Sequence, residues 1–532
     1  MNAMANQNAL WSRRELLASG VAAWSAACSS GPETREFDLG ETNLDELRRR
    51  IDAGEENSRS ICEKYLARID AVDQQGPAVN ALLEINPEAL EIADRIDRER
   101  EESGVRGPLH GVPVLLKDNI DTGDQMQTSA GSLALVGSPA DQDAYLTQRL
   151  REAGAVILGK TNLSEWANFR SSSSVSGWSG RGGLTRNPYA LDHNACGSSS
   201  GSAVAVSANL APLAVGTETN GSIICPASIN GVVGIKPTLG LVSRSGVVPI
   251  AHNQDTAGPM ARTVRDAAIL LGAMVGADPR DPITAANRGL SDYTPFLDAN
   301  GLQGARLGVA RNYFGSREAV DGLIGQALEE MQRRGAELID VEELPPNSAW
   351  GRDPYLVLLH EFKVGVNTYL QTRTGVEVGS LAEVIAFNEA NRDREMPYFG
   401  QEILLDAEET TGLESAEYLR ALEKCRRLSR QEGIDLVMEK HGLDAIVAPS
   451  TGPSWPTDLE NGDPGSGGCS SPAARAGYPH VTIPAGLING LPVGLSFFAG
   501  AFSEPKLLAL AYSFEQATHH RRQPGLSPTA AR

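Results

Sequence analysis

The 532-residue sequence predicts an α/β fold in which several buried strands alternate with helices. Three observations carry this. From Gly107 onward, "LHGVPVLLKDNID", "GAVILGKTNLSEWA", "LAPLAVGTETNGS" and "GVVGIKPTLGLVS" are short apolar runs that end in Gly, Asn or Thr. Segments with helical periodicity, such as "DAYLTQRLREAG", separate them. Continuous short apolar runs bounded by turn residues fit strands buried on both faces, and their alternation with helices fits layered packing.

Taken in order, residues 1–30 read as an export signal. "SRRELLASGVAAWSAACSS" joins Arg13-Arg14 to a mildly apolar stretch and then to small residues, the order of a secretory leader, and the twin arginines suggest Tat-type export. Cys28 resembles a lipoprotein acceptor cysteine, although Ser25 stands where such motifs usually carry Leu. The expected location is therefore exported, periplasmic or membrane-anchored through Cys28, and cytoplasmic if the signal is not used. Residues 40–525 read as one domain. Residues 40–105 are charged and periodic, which predicts two or three amphipathic helices. The stretch from about 316 to 440 turns charged and helical again and reads as a helical insert. "LDAIVAPSTGPSWP" and "HVTIPAGLINGLPVGLSFFAG" supply further strands, and the Gly- and Ser-rich residues 459–471 read as a loop or lid.

Composition excludes several classes. A net charge of −20 makes nucleic acid a poor partner. No run approaches the roughly 20 apolar residues that span a bilayer as a helix. The six cysteines and eight histidines contain no CxxC and no metal-ligand spacing, so no metal or other cofactor is expected. Cys196 and Cys225 read first as two small buried thiols. If the serines beside them converge, an exported protein could instead oxidise the pair.

The chemistry concentrates in two turns 24 residues apart, "CGSSSGSA" with Ser198 and "GTETNGSIICPAS" with Ser222. Gly and Ser let backbone N–H groups approach a bound group closely. His193, His252 and His480 read as structural or surface residues rather than bases. Lys117 ends the apolar run Val112–Leu116, where burial would drive its pKa down and leave a neutral amine able to accept a proton. A lysine that reaches back to solvent from a strand end is the plain alternative.

At this point the motifs resemble a known family. "GVPVLLKDNI", "CGSSSGSA", "GTETNGSIICPASINGVVGIKPTLGLVSRSGVVP" and "QDTAGPMARTVRDAA" are similar, in order, to the amidase signature family, over residues 40–520. "KTNLSEWANFRSSSSVSGWSGRGGLTRNPY" places the chain nearest the branch with bacterial peptide amidases. The resemblance implies a mixed central β-sheet covered by helices on both faces. It also implies a Ser–Ser–Lys triad that hydrolyses a peptide C-terminal amide, an aryl amide or a small amide through an acyl-enzyme. Carried over, Ser222 is the nucleophile, Ser198 the bridging serine after a cis peptide bond and Lys117 the base. Backbone N–H groups of Thr219, Asn220, Gly221 and Ser222 would hold the oxyanion, and Ser199 would position the loop. The chain departs from the common pattern at Asn220 (for Gly), Glu218 (for Asp) and Ile224 (for Arg). Asn220 is expected to tolerate positive φ in place of glycine and to crowd or contact the substrate. Two other readings stand beside this one. Gly197–Gly201 also satisfies the GxSxG nucleophile elbow, with Ser199 as nucleophile and His480 or His519 as base. A catalytically silent amide-binding scaffold is the other.

Overall fold

The computed structural model describes residues 37–531 apart from Ser138 and Ser466. The chain divides into two units, Met1–Gly40 and Glu41–Arg532. In the first, Phe37–Gly40 form a turn closed by the Gly40 N–H on the Phe37 carbonyl at 2.7 Å. The export signal, its twin arginines and Cys28 lie outside the described residues.

The second unit is built on one eleven-stranded sheet. Its strands, in chain order, are β1 (Leu82–Ile85), β2 (Pro113–Lys117), β3 (Val156–Thr161), β6 (Leu213–Glu218), β7 (Val233–Lys236), β8 (Thr256–Ala261), β9 (Arg306–Ala310), β10 (Glu337–Val341), β11 (Ala445–Pro449), β12 (His480–Ile488) and β13 (Leu491–Phe498). The short pair β4 (Trp178–Ser179) and β5 (Gly183–Leu184) forms a separate two-stranded ribbon. The spatial order is β1-β3-β2-β6-β8-β7-β12-β13-β11-β9-β10. Pairing is mixed: β2 runs parallel to β3 and β6, and β9 parallel to β10 and β11, while the strands between β6 and β11 pair antiparallel.

Every residue of β2, β3, β6, β8 and β13 is buried. Because successive side chains point to opposite faces, such strands must be covered on both sides, which explains their unbroken apolar runs. The Ala- and Ser-rich helix Ser200–Ser207 is buried over all eight residues and packs on β6, and Glu504–Thr518 packs on β12 and β13. β12 and β13 form a hairpin whose two-residue turn, Asn489-Gly490, has φ of 51° and 78°, the left-handed pair that a tight hairpin requires.

The amphipathic N-terminal stretch forms helices Leu44–Asp52, Ser58–Ile69 and Ala89–Ser103. The segment 316–440 carries helices including Glu318–Arg333, Asp353–Leu370, Leu381–Ala390, Glu402–Glu408 and Ala416–Ser429. It also supplies β10, which a purely helical reading misses. β10 is one of the sheet's two edge strands, so its "ELIDV" pattern stays half polar and lacks the apolar run of a central strand. Leu359, Phe362, Val366, Leu381 and Leu404 of the helical segment pack with Trp166, Phe169 and Ile250 in one apolar cluster.

Candidate active site

Strand pairing brings the lysine and the two serine turns together. β2 and β6 lie side by side with Leu116 opposite Val215, so Lys117 at the end of β2 falls beside Gly216 and Thr217. Lys117 is fully buried, and its Nζ lies 2.8 Å from Ser198 Oγ, 3.1 Å from Ser199 Oγ and 2.8 Å from Thr217 Oγ1. Burial pulls its pKa down to about 7, against the carboxylates of Asp255 and Glu218, which favour the charged form. Asn119 Nδ2 donates to the same Thr217 hydroxyl at 3.0 Å.

The Gly197–Ser198 peptide bond is cis. Ser199 stands just before the helix Ser200–Ser207 and is locked in place by the strand β6 and the second serine turn. Its Oγ donates to the Thr217 carbonyl at 2.9 Å and accepts the Thr217 N–H at 3.1 Å, and its N–H donates to the Ser222 carbonyl at 3.1 Å. Gly216 makes this fit: a Cβ there would stand 2.8 Å from Ser199 Oγ. The two serine turns are therefore joined through backbone, and Ser222 lines a cavity of about 360 Å³.

The turn after β6 is held from outside. Glu218 Oε2 accepts the N–H groups of Ile223 at 2.7 Å and Ile224 at 3.0 Å, so the longer carboxylate closes the turn into the helix Ile224–Ile229. Thr219 Oγ1 donates to Asp255 Oδ1 at 2.6 Å. Burial pushes the Asp255 carboxyl up to about 6, against hydrogen bonds from Thr219, Ile250 and Ala251. The left-handed residue of the turn is Gly221, with φ of 85°, and Asn220 does not adopt positive φ. This corrects the sequence reading at 220. The glycine retained next door takes the strained position, which leaves Asn220 free for ordinary backbone. The Asn220 side chain lines the cavity and is tied to the start of the helix Ser470–Ala476, accepting from Ser470 Oγ at 2.9 Å and donating to Ser471 Oγ at 3.1 Å. Among the described residues, no acceptor takes the N–H groups of Asn220, Gly221 and Ser222.

Cys196 and Cys225 form a disulfide with Cα atoms 6.1 Å apart, which corrects the reading of two free thiols. The loop entering Ser198 and the helix leaving Ser222 converge, and both cysteines line the cavity. Cys62, Cys425 and Cys469 are free and buried. No histidine reaches Ser199. His480 Nε2 meets Ser496 Oγ at 2.6 Å, inside the sheet, and burial pulls its pKa down to about 3. His519 caps the last helix and lines a different cavity with Glu515 and Arg521. His193 pairs with Asp192, and His252 with Glu361. The elbow reading therefore lacks its base. Among the described residues, no three His, Cys, Asp or Glu side chains are grouped as metal ligands.

Phe169 and Ser176, both inside "KTNLSEWANFRSSSSVSGWSGRGGLTRNPY", also line the cavity. Leu358, Ser450, Trp455 and Asp463 line it from outside the family motifs, brought together from separate segments of the chain. Asp255, the partner of Thr219, differs from these because it sits inside the motif "QDTAGPMARTVRDAA".

A large mixed sheet flanked by helices, with a buried lysine and two serine turns under one cavity, defines a hydrolase acting on amide C–N bonds. The chain belongs to the amidase family: the family model Amidase matches residues 60–508. It is similar to the native peptide amidase of Stenotrophomonas maltophilia, at 52% identity with a TM-score of 0.88 over 92% of this chain and 100% of that one. An amidase family protein of Bacillus anthracis is 39% identical with a TM-score of 0.83, over 91% of this chain and 92% of that one. A probable amidase of Arabidopsis thaliana is 43% identical over 501 residues, 92% of each chain.

Proposed function

We propose that the protein hydrolyses the C-terminal amide of peptides through an acyl-enzyme on Ser222. The observation that carries this reading is Lys117 Nζ at 2.8 Å from Ser198 Oγ, fully buried and with its pKa lowered to about 7. A neutral lysine amine takes the Ser198 proton as Ser198 takes that of Ser222, and Ser222 Oγ bonds to the amide carbon. The free N–H groups of Asn220, Gly221 and Ser222 receive the oxygen as it gains charge. When the tetrahedral adduct collapses, the C–N bond breaks and the Lys117 proton returns through Ser198 to the departing ammonia. Water then attacks the ester by the same route, which frees Ser222 and the peptide acid. The peptide substrate rests on the likeness to the peptide amidase, and a cavity of about 360 Å³ has room for a short peptide end.

A fluorophosphonate should label Ser222, and Ser222→Ala should abolish both labelling and turnover on a panel of peptide, aryl and aliphatic amides. Label on Ser199, or turnover kept by Ser222→Ala, would overturn the mechanism. A folded wild-type protein that hydrolyses none of the panel would instead favour a silent amide-binding scaffold. We also propose export through the twin arginines, a reading the Cys196–Cys225 disulfide supports because such bonds persist in oxidising compartments. Lysine at both Arg13 and Arg14 should then retain the protein in the cytoplasm on fractionation, and an unchanged distribution would refute it.

A further inference from the structure

The cavity over Ser222 is lined by serines, two threonines, asparagines and apolar groups, and among its described lining residues one side chain is ionisable: Asp463. This carboxylate is half-buried in the loop before the helix Ser470–Ala476 and held by three donors. Its Oδ2 accepts the Ser176 N–H at 2.8 Å, and its Oδ1 accepts Asn194 Nδ2 and Trp455 Nε1, each at 3.2 Å. All three donors are neutral, and no cation pairs with Asp463 among the described residues. A second carboxylate lies just behind the same wall. Glu402 Oε1 accepts Ser171 Oγ, the Ser172 N–H and Ser172 Oγ at 2.8, 2.7 and 2.8 Å, and both serines line the cavity. Burial raises the Asp463 pKa from its ordinary value, so its ionised form gains from any positive charge brought beside it.

We propose that Asp463 makes this cavity select amides carrying a cationic group over neutral and acidic ones. The proposal rests on amide hydrolysis at Ser222 and names its substrate class. A substrate ammonium or guanidinium supplies the charge that Ser176, Asn194 and Trp455 do not, in a cavity where partial exclusion of water strengthens the attraction. The peptide acid formed on hydrolysis carries a new negative charge in the same cavity, which favours its release. A merely mechanical role for Asp463, fastening its loop to the wall before Ser198 through Asn194, would affect cationic and neutral substrates alike.

The test is a ratio of kcat/KM values. One pair compares a dipeptide amide bearing a free N-terminus with its acetylated form. The other compares N-acetyl-lysinamide with N-acetyl-norleucinamide. The pairs separate a terminal ammonium from a side-chain one. In the wild-type enzyme at least one ratio should reach about fivefold, the scale of a partly shielded ion pair. Asp463→Asn should cut that ratio by more than half whatever its absolute activity, while Glu402→Gln keeps most of it. Ratios of one or below in both pairs, or a preference undiminished in Asp463→Asn, would overturn the proposal.

A second measurement needs neither turnover nor a variant. Carbodiimide coupling of Asp463 to glycine methyl ester, located by peptide mass spectrometry in wild-type protein, should slow several-fold with hexyltrimethylammonium and not with hexanol. Equal protection by both would refute the cation preference even if no amide were hydrolysed. Protection without turnover on any amide would place the failure in the catalytic reading instead.

Discussion

Lys117 is where sequence, burial and chemistry meet most closely. Its ammonium costs free energy where it sits, and the groups around it offer mostly hydroxyl and carbonyl oxygens. With a pKa lowered to about 7, the amine is protonated below that pH and free above it. In the proposed mechanism kcat/KM should therefore rise about tenfold per unit of pH in the acid range and level off above neutrality. A profile flat down to pH 5 would remove Lys117 from the role of base. Lys117→Ala should cost on the order of 10² to 10⁴ in rate.

Lys117, Ser198 and Ser199 stand out in the sequence because each sits at an element boundary marked by Gly or by the end of an apolar run, and the family resemblance is what groups them into one site. Asp463 cannot. It lies 265 residues from Ser198 in a Gly-rich loop, and nothing local distinguishes it from a solvated aspartate. Asn220 escapes a sequence reading for a related reason: composition names the residues of a turn but does not say which of them adopts positive φ.

At the scale of elements, the disulfide joins the loop entering the helix Ser200–Ser207 to the helix Ile224–Ile229, closing a chain separation of 29 residues. A loop of that length gives about 3.6 kcal/mol of stabilisation in the chain-entropy model. Cys225→Ser should lower unfolding stability by about that much in denaturant titration and lower activity as the two serine turns loosen. Peptide mass spectrometry without reductant should recover residues 196 and 225 crosslinked. An unlinked pair with unchanged stability would refute both effects. Sequence alone favours two free thiols here, since the convergence of the two turns is tertiary information. The strands are legible where burial is complete, as in β3, β6 and β13. β10 is not, because an edge strand wets one side and loses the apolar run that identifies its neighbours.

Over the whole molecule, the helical segment is tied to the loops after β2 and β3 by a buried ion cluster. The Arg170 guanidinium is fully buried, donates to Glu165 Oε1 at 2.6 Å and lies 3.8 Å from Glu395 Oε2. It also sits 4.3 Å from the ring centre of Phe399 and 5.2 Å from that of Trp178. Glu395 accepts the Leu133 N–H at 2.6 Å, so one cluster holds two parts of the chain more than 200 residues apart. Burial pushes both carboxyls up, and Arg170 opposes that shift. Arg170→Met should destabilise the protein by about 3–5 kcal/mol in denaturant, since it leaves buried carboxylates without their cation. Loss of less than about 1 kcal/mol would show that the cluster does not hold the segment.

The order of the sheet sets a timetable for synthesis. β12 and β13, made from the last tenth of the chain, occupy the middle of the sheet between β7 and β11. A nascent chain that has emerged through β11 must therefore keep two unpaired inner strand edges, at β7 and at β11, until the hairpin leaves the ribosome. Such edges are templates for pairing with other chains. The walls of the cavity also stay separate until then, so a ribosome-bound chain stopped before residue 480 should be both inactive and dependent on chaperones.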